Sequence, residues 1–197
     1  RHTRFKCDWS SDVCSSDLAA TEPDEALSLL AQNFEECRTL FGDDDPSTLT
    51  ARGHLATQHL RFGDATTAAA LLSELARDRE ALLGRNHLST LRTHRIFGEA
   101  LRAAGDLTAA RRVLDDTIRR LAATFGATHP ETMRARAERL VVGELAHTVR
   151  AGELETFIAD CDTLEPQNSL RTWFRPTRRR RRRNHRSETD NRKGGTR

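Results

Sequence analysis

The residue types that most often do chemistry are present in this chain, but their spacing does not assemble a metal site. Two of the eight histidines, His54 and His59, stand five residues apart, so on a helix they face different sides. His87 and His129 are 42 residues apart and hold the same place in two copies of one segment. The run Asp43-Asp44-Asp45 lacks the alternating ligand spacing of a calcium loop. We therefore expect no metal and assign these residues structural roles.

Catalytic motifs are also missing from the sequence. It contains neither the phosphate-binding pattern GxxxxGKS/T nor the nucleophile pattern GxSxG. The adjacent acids at 35–36 and 115–116 fall on predicted exposed helix faces. The four cysteines form no CxxC pair, which favours reduced, buried thiols in the cytoplasm; they are Cys7, Cys14, Cys37 and Cys161. We expect no enzymatic activity and no cofactor.

One nine-residue segment recurs three times and organises the chain. Its copies are 41–49 (FGDDDPSTL), 83–91 (LGRNHLSTL) and 125–133 (FGATHPETM). The second residue of each copy is glycine, and successive copies are separated by 42 residues. A constant period of this length indicates one supersecondary unit stacked on copies of itself.

The stretch between two copies has the pattern of a helix pair. Asp45 is placed to cap a helix, and Pro46 suits its first position because no N–H is needed there. Gly63 is expected to end this helix, since glycine adopts the left-handed conformation at little cost, and Asp64 to cap the next one. Apolar residues at helical spacing predict the buried stripes of the two helices: Leu49, Leu55, Ala56 and Leu60, then Ala68, Leu71, Leu72, Leu75 and Leu82.

This order of small residue, glycine turn, alanine and large aliphatic residue resembles the tetratricopeptide repeat. The 42-residue period with its G-x-x-H/D-P-x-T-L segment is similar to the kinesin-light-chain-like variety that is common in actinobacterial proteins. The resemblance implies an all-α fold, a right-handed α-solenoid of antiparallel helix pairs whose first helices line a concave groove. The predicted domains are a leader (1–18), a repeat solenoid (19–170) and an Arg-rich disordered tail (171–197). Within the solenoid we expect a partial repeat 19–45, full repeats 46–87 and 88–129, and a degenerate repeat 130–170.

The resemblance also implies which residues face the groove, and many of them are basic. Typical members carry Arg-Asn-Asn-Leu-Ala in the first helix of a pair, where the asparagines hold a bound peptide. This chain has RGHLA at 52–56 and HRIFG at 94–98 instead, which puts that asparagine grip in doubt. The predicted partner-binding residues are Arg61, Arg92, Arg95, Glu99, Arg102 and Arg134, beside Gly53, Thr57, Leu60 and Ala103. Converging arginines favour carboxylates, so an acidic peptide is the expected ligand; the alternative is that they only solvate an open surface.

The third copy departs from the pattern after its first helix. The period places a helix-ending glycine at position 147, but His147 stands there and Gly152 comes five residues later. Either the first helix of this copy is longer by about a turn and a half, or the copy is an atypical terminal repeat. The residues that predict one further short helix before Pro166 are Leu154, Phe157, Ile158 and Leu164.

Both ends of the chain differ from the repeats. Residues 7–18 (CDWSSDVCSSDL) lack periodicity and look like a translated sequencing-library adapter; the alternative is a disordered Ser/Asp-rich leader. Residues 171–197 carry 12 basic and 2 acidic residues, whereas 19–170 carry 17 basic and 24 acidic ones. Six consecutive arginines, Arg178 to Arg183, predict a solvated tail. The tail either binds nucleic acid or an anionic membrane electrostatically, or is the end of a truncated reading frame without an evolved role.

These patterns favour a protein–protein interaction scaffold that binds a peptide or partner protein in its groove. The resemblance implies a fragment of a larger regulatory protein in which the repeats follow a nucleotide-switching ATPase. The alternative function is nucleic-acid binding through Arg178–Arg183. No apolar run approaches the ~18 residues that a membrane span needs.

Overall fold

The computed structural model describes residues 23–149 and 152–163, and every regular element within them is an α-helix. The helices are α1 (Pro23–Phe41), α2 (Pro46–Arg61), α3 (Ala65–Leu83), α4 (Leu88–Ala103), α5 (Leu107–Phe125), α6 (Pro130–Leu145) and α7 (Glu153–Thr163). The predicted all-α fold class is confirmed. The leader 1–18 and the Arg-rich segment 171–197 lie outside the described residues.

The chain divides into two compact units, and the division falls inside α5. The first unit ends at Thr117 and contains α1 to α4 with the first part of α5. The second unit begins at Ile118 and contains the end of α5 with α6 and α7.

Side-chain caps begin the first helix of each pair at the same place in the 42-residue period. The Asp45 carboxylate accepts a hydrogen bond from the Ser47 N–H at 2.7 Å, and Pro46 follows it as the first helical residue, as the sequence predicts. In the next two copies Nδ1 of His87 and of His129 accepts from the backbone N–H two residues on, at 3.2 and 3.3 Å. The structural role predicted for these two histidines is therefore helix capping.

Aspartates cap the second helix of the first two pairs. Oδ1 of Asp64 accepts from the Thr67 N–H at 3.1 Å, and Oδ1 of Asp106 accepts from the Ala109 N–H at 2.9 Å. Hydrogen bonding from Thr67 lowers the pKa of the Asp64 carboxyl. The predicted cap at Asp64 is thus confirmed.

A left-handed residue separates the two helices of each pair. Gly63 and Gly105 take this place in the first two copies, with φ of 91° and 90°. In the third copy it falls to His147, whose φ of 54° makes it the only non-glycine with positive φ among the described residues. The helix α6 has 16 residues, the same length as α2 and α4. The alternative that predicted a longer first helix in the third copy is therefore wrong. Instead the connection lengthens, and α7 begins only at Glu153.

Small and aliphatic side chains of α2, α3 and α4 form a buried cluster in the first unit. Leu72 and Leu75 are fully buried, and the cluster consists of Leu49, Ala56, Ala68, Leu72, Leu75 and Ala100. The predicted inner stripes therefore hold, with one correction: Leu82 is 48 % exposed. It lies in the last turn of α3, which at 19 residues is longer than the 16-residue α2.

The core of the second unit joins α6 and α7. Its buried residues are Met133, Ala137, Leu140, Phe157 and Cys161. The Arg136 guanidinium lies over the Phe157 ring, 5.6 Å from its centroid, and Nη1 is 2.7 Å from Oδ2 of Asp160. The short helix predicted after Gly152 is confirmed as far as Thr163, and Leu164 lies outside the described residues.

The two cysteines in the described ranges are free thiols. Cys161 is buried as predicted, whereas Cys37 is only partly buried and its Sγ donates to Oδ1 of Asn33 at 3.3 Å. Burial, followed by the negative charge of Glu36, raises the pKa of the Cys37 thiol.

Candidate partner-binding surface

The predicted groove residues of the first unit lie on α2 and α4, two helices that touch one another. Arg61 is the last residue of α2 and is exposed. Arg92, Arg95, Glu99 and Arg102 are partly exposed, and their spacing of three or four residues places them on one face of α4. We call this four-residue set the α4 face. It carries three guanidinium groups and one carboxylate.

An ion pair lies within the α4 face. Nη1 of Arg95 is 3.7 Å from Oε2 of Glu99, and the two side chains are 16 % and 33 % exposed. At this distance the two groups attract each other as charges without forming a hydrogen bond. Such i,i+4 pairs are worth only about 0.3–0.5 kcal/mol. A bidentate pair between a guanidinium and a carboxylate, by contrast, contains two charge-assisted hydrogen bonds.

Three of the predicted groove positions on α2 offer a ligand few polar groups. Gly53 has no side chain, and Oγ1 of Thr57 donates to the Gly53 carbonyl at 2.8 Å, within its own helix. Leu60 packs against the core cluster. The charge of this surface therefore comes from α4 and from Arg61 at the end of α2.

Arg134 belongs to the second unit. It lies on α6, where its Nη1 donates to Oε1 of Glu131 at 2.7 Å. Glu131 is almost fully buried and sits in the first turn of α6, where the helix dipole favours a negative charge. The Arg134 guanidinium therefore already forms an ion pair with the Glu131 carboxylate of the same helix.

A buried arginine that the sequence pattern did not single out joins α2 to α4. Arg79, on α3, is 6 % exposed. Its Nη1 donates to Oγ1 of Thr93 on α4 at 2.7 Å, and its Nη2 donates to the Leu49 carbonyl on α2 at 3.4 Å. Oγ1 of Thr90 donates to the Arg79 carbonyl at 3.2 Å. One residue of α3 therefore binds both helices that carry the predicted groove residues of this unit.

Further polar contacts surround these helices. Nε2 of His94 on α4 is 3.1 Å from Oε1 of Glu80 on α3, and Nε of Arg85 is 3.8 Å from the same oxygen. In the preceding repeat Arg52 on α2 pairs with Asp78 on α3. Arg85 lies between α3 and α4, and the other charged groups lie on the helices. The sequence patterns did not predict these ion pairs.

Burial sets the protonation of the histidine next to Arg79. His54 on α2 is half-buried, and burial lowers the pKa of its imidazole, as does the positive charge of Arg79. Burial also lowers the pKa of the Arg79 guanidinium, although an arginine stays protonated in proteins. His54 is therefore a neutral imidazole in the folded protein near pH 7.

Metal ligation and membrane insertion can be judged for residues 23–149 and 152–163. Within these ranges no group of three or more His, Cys, Asp and Glu side chains is placed to hold a metal ion. No helix described there is both long enough and apolar enough to cross a membrane.

Comparison with known proteins defines the class of this fold. A family model described as tetratricopeptide repeat matches residues 97–131, from within α4 to the start of α6. That segment is a tetratricopeptide repeat, and the chain is an all-α helical-repeat protein. No match was found among curated protein sequences.

Solved structures share the fold at low sequence identity. A Podosopora anserina protein described as a kinesin light chain with nearly identical TPR-like repeats is 21 % identical, with a TM-score of 0.68 over 80 % of this chain and 76 % of that chain. A variant of that protein matches over the same shares at 21 % identity, with a TM-score of 0.69. BtubC (BKLC) from P. vanneervenii is 12 % identical, with a TM-score of 0.62 over 74 % of this chain and 60 % of that chain. The predicted resemblance to kinesin-light-chain-like repeats is confirmed at the level of the fold.

Proposed function

We propose that this protein is an interaction scaffold that binds a peptide segment of a partner protein across α2 and α4. Tetratricopeptide repeats are generally protein–protein interaction scaffolds, because stacked helix pairs present extended binding surfaces. The observation that carries the proposal is the α4 face, on which three arginines share one side of a helix that touches α2.

The chemistry of the α4 face favours an acidic peptide. A guanidinium binds a carboxylate through two parallel, charge-assisted hydrogen bonds, which are stronger than neutral ones. The partial burial of Arg92, Arg95 and Arg102 reduces the screening of such a bond by water. If these arginines only solvated the surface, each pair with a ligand would contribute about 0–1 kcal/mol and no preference would result.

Peptide libraries of graded acidity test this proposal on the full chain. The test variant is Arg95→Glu/Arg102→Glu, and the matched control is Arg77→Glu/Arg112→Glu on α3 and α5, where both arginines are exposed. Both variants change the net charge equally, and the Arg-rich segment 171–197 is common to all three proteins. We expect the wild type and the control to prefer acidic peptides and the test variant to lose the preference. The proposal is wrong if the wild type shows no preference, if the test variant keeps the preference, or if the control loses it as fully as the test variant.

The second candidate function is nucleic-acid binding through Arg178–Arg183. It rests on the excess of 12 basic over 2 acidic residues in 171–197, since phosphate contacts by Arg and Lys give strongly salt-dependent affinity. Filter binding across a salt series, with and without residues 171–197, tests it. Binding that survives removal of this segment, or the absence of binding at low salt, contradicts this function.

The kinesin-light-chain-like resemblance further leads us to propose that these repeats operate in a larger regulatory protein with a nucleotide-switching ATPase. The repeats would sense or restrain that ATPase through the same peptide-binding surface. The genomic reading frame around residues 19–170 tests this directly, because it must encode the ATPase in the same protein.

A further inference from the structure

We propose that Arg79 is a positioning residue that sets the spacing of α2 and α4 in the first unit. This spacing is a property of the two helices in the absence of any ligand. Its consequence for peptide binding rests on the proposed function, because the α4 face and Arg61 sit on these two helices.

The hydrogen bonds of Arg79 connect three helices through one rigid group. From α3, the guanidinium reaches the Thr93 hydroxyl on α4 at 2.7 Å and the Leu49 carbonyl on α2 at 3.4 Å. The acceptor on α4 is itself held in place, because Oγ1 of Thr93 donates to the Ser89 carbonyl at 2.9 Å. A planar guanidinium presents its donors in a fixed fork, so it holds its acceptors at defined separations.

Comparison of the three copies shows that both partners of this bond depart from the repeat pattern together. One period before and after Arg79 stand Cys37 and Leu121. One period before and after Thr93 stand Ala51 and Ala135, both buried. A buried guanidinium needs acceptors, and only the copy that carries it also carries a hydroxyl at the facing position.

Gly53 is a third departure at the same place. Its equivalents are Arg95 and Ala137. A Cβ at Gly53 would lie 3.9 Å from Nη2 of Arg79 and 3.3 Å from Cδ2 of Leu75. Alanine would therefore fit with small adjustments, whereas a longer side chain would enter the space of the guanidinium. The absence of a side chain at this position leaves room for the arginine between the helices.

Stability alone does not explain a buried arginine here. Replacing a buried charged group by an apolar side chain of similar volume is often neutral or stabilising. A leucine, as at the equivalent position 121, would let α2 and α4 pack without hydrogen-bonded acceptors at set distances. What Arg79 adds is a defined separation of the two helices.

A double-mutant cycle measures the coupling between the two partners. Thr93→Ala should raise the equilibrium constant for unfolding about tenfold, because the buried guanidinium loses an acceptor. Arg79→Leu/Thr93→Ala should restore most of that loss, since neither polar group remains. Additive effects of Arg79→Leu and Thr93→Ala would show that the two residues are independent and would overturn the proposal.

The separation of α2 and α4 is measured by pulsed electron spin resonance on the full chain. Nitroxide labels are attached at Arg61→Cys and Ala103→Cys, the exposed ends of the two helices, after the four native cysteines are replaced. We expect the distance distribution to shift or broaden in Arg79→Leu/Thr93→Ala, although stability is regained. Thr93→Val, which keeps the side-chain shape and removes only the hydroxyl, should broaden it too. Arg79→Lys keeps the positive charge but lacks the forked donors of a guanidinium, and its distance distribution should also differ from that of the wild type.

An unchanged distribution in Arg79→Leu/Thr93→Ala would overturn the proposal, and if that variant does not fold, an unchanged distribution in Thr93→Val would do so. These outcomes are independent of the peptide libraries. If the distance distributions depend on Arg79 but the wild type shows no preference for acidic peptides, only the proposed function is refuted. If the wild type shows that preference but the distance distributions do not depend on Arg79, only the positioning role is refuted.

Discussion

At the scale of single residues, the fully buried leucines of the second helices carry the packing of the first unit. Leu72 and Leu114 hold equivalent places in α3 and α5 and have 1 % and 0 % exposed surface. We expect Leu72→Ala or Leu114→Ala to lower the free energy of unfolding by about 2–5 kcal/mol, measured by denaturant titration. Leu82→Ala is the control, and its exposed side chain should cost about 0.5 kcal/mol or less. A cost this small at Leu114 would show that it is not part of the core.

Two helical glycines should respond differently to the same substitution. A Cβ at Gly98 would lie 2.7 Å from Cγ of Leu114, whereas at Gly53 the nearest atom is a terminal methyl of Leu75 at 3.3 Å. Alanine is favoured over glycine in a helix by about 1 kcal/mol, and overpacking costs about 1–3 kcal/mol. We expect Gly98→Ala to be destabilising and Gly53→Ala to be neutral or stabilising in chemical denaturation. A larger loss for Gly53→Ala than for Gly98→Ala would contradict this packing.

The protonation of His54 makes stability depend on pH. Burial and the charge of Arg79 lower the pKa of His54 in the folded protein, whereas the unfolded chain has the ordinary value of about 6.5. The unfolded state therefore binds this proton more readily. The stabilising contribution is complete above about pH 6.5 and is lost as the pH falls through that value towards the folded pKa.

We expect the free energy of unfolding to fall between about pH 7.5 and pH 5.5 in the wild type, and to fall less in His54→Asn. The difference between the two proteins isolates the contribution of His54. Identical pH dependence in the wild type and in the variant would show that His54 is not buried beside Arg79.

The sequence predicted the caps at Asp45 and Asp64 but not the role of Arg79, and the reason is the range of the interactions. A cap is made with a backbone N–H two or three residues away, so its chemistry is local. Arg79 binds acceptors 14 and 30 residues away in sequence, which only the folded helices bring together. Aligning the three copies would have placed position 79 among apolar equivalents and marked the arginine as unusual.

At the scale of elements, helix boundaries follow from glycine, proline and aspartate, which act through the local backbone. The end of α2 therefore agrees with the glycine turn predicted at Gly63. The sequence left two alternatives for the third copy, because it does not show whether a histidine takes the left-handed conformation. The structure decides in favour of His147 at this turn with a longer connection to α7.

His147 should be a weak point of this turn. A left-handed residue with a Cβ costs roughly 1–2 kcal/mol relative to the right-handed helix, and glycine avoids this cost. We expect His147→Gly to raise the melting temperature and Gly105→Ala, the reverse change at the equivalent turn, to lower it. A lower melting temperature for His147→Gly would contradict backbone strain at this turn.

At the scale of the whole molecule, the fold was more predictable than the candidate surface. The 42-residue period extends over several helix pairs, and it predicted an all-α repeat fold that similar structures confirm. The α4 face depends on which charged residues remain partly exposed after packing. Glu99 beside Arg95 and Glu131 beside Arg134 show that some of the predicted arginines already hold carboxylates of this chain.

Binding of an acidic peptide across α2 and α4 can be located on the protein itself. The experiment photo-crosslinks the tightest acidic peptide from the library to the full chain and locates the bonds by mass spectrometry. We expect crosslinks on residues 92–102 and at the end of α2, and their loss in Arg95→Glu/Arg102→Glu but not in Arg77→Glu/Arg112→Glu. Crosslinks concentrated on α3, on α5 or on residues 171–197, or a pattern unchanged by Arg95→Glu/Arg102→Glu, would contradict the account.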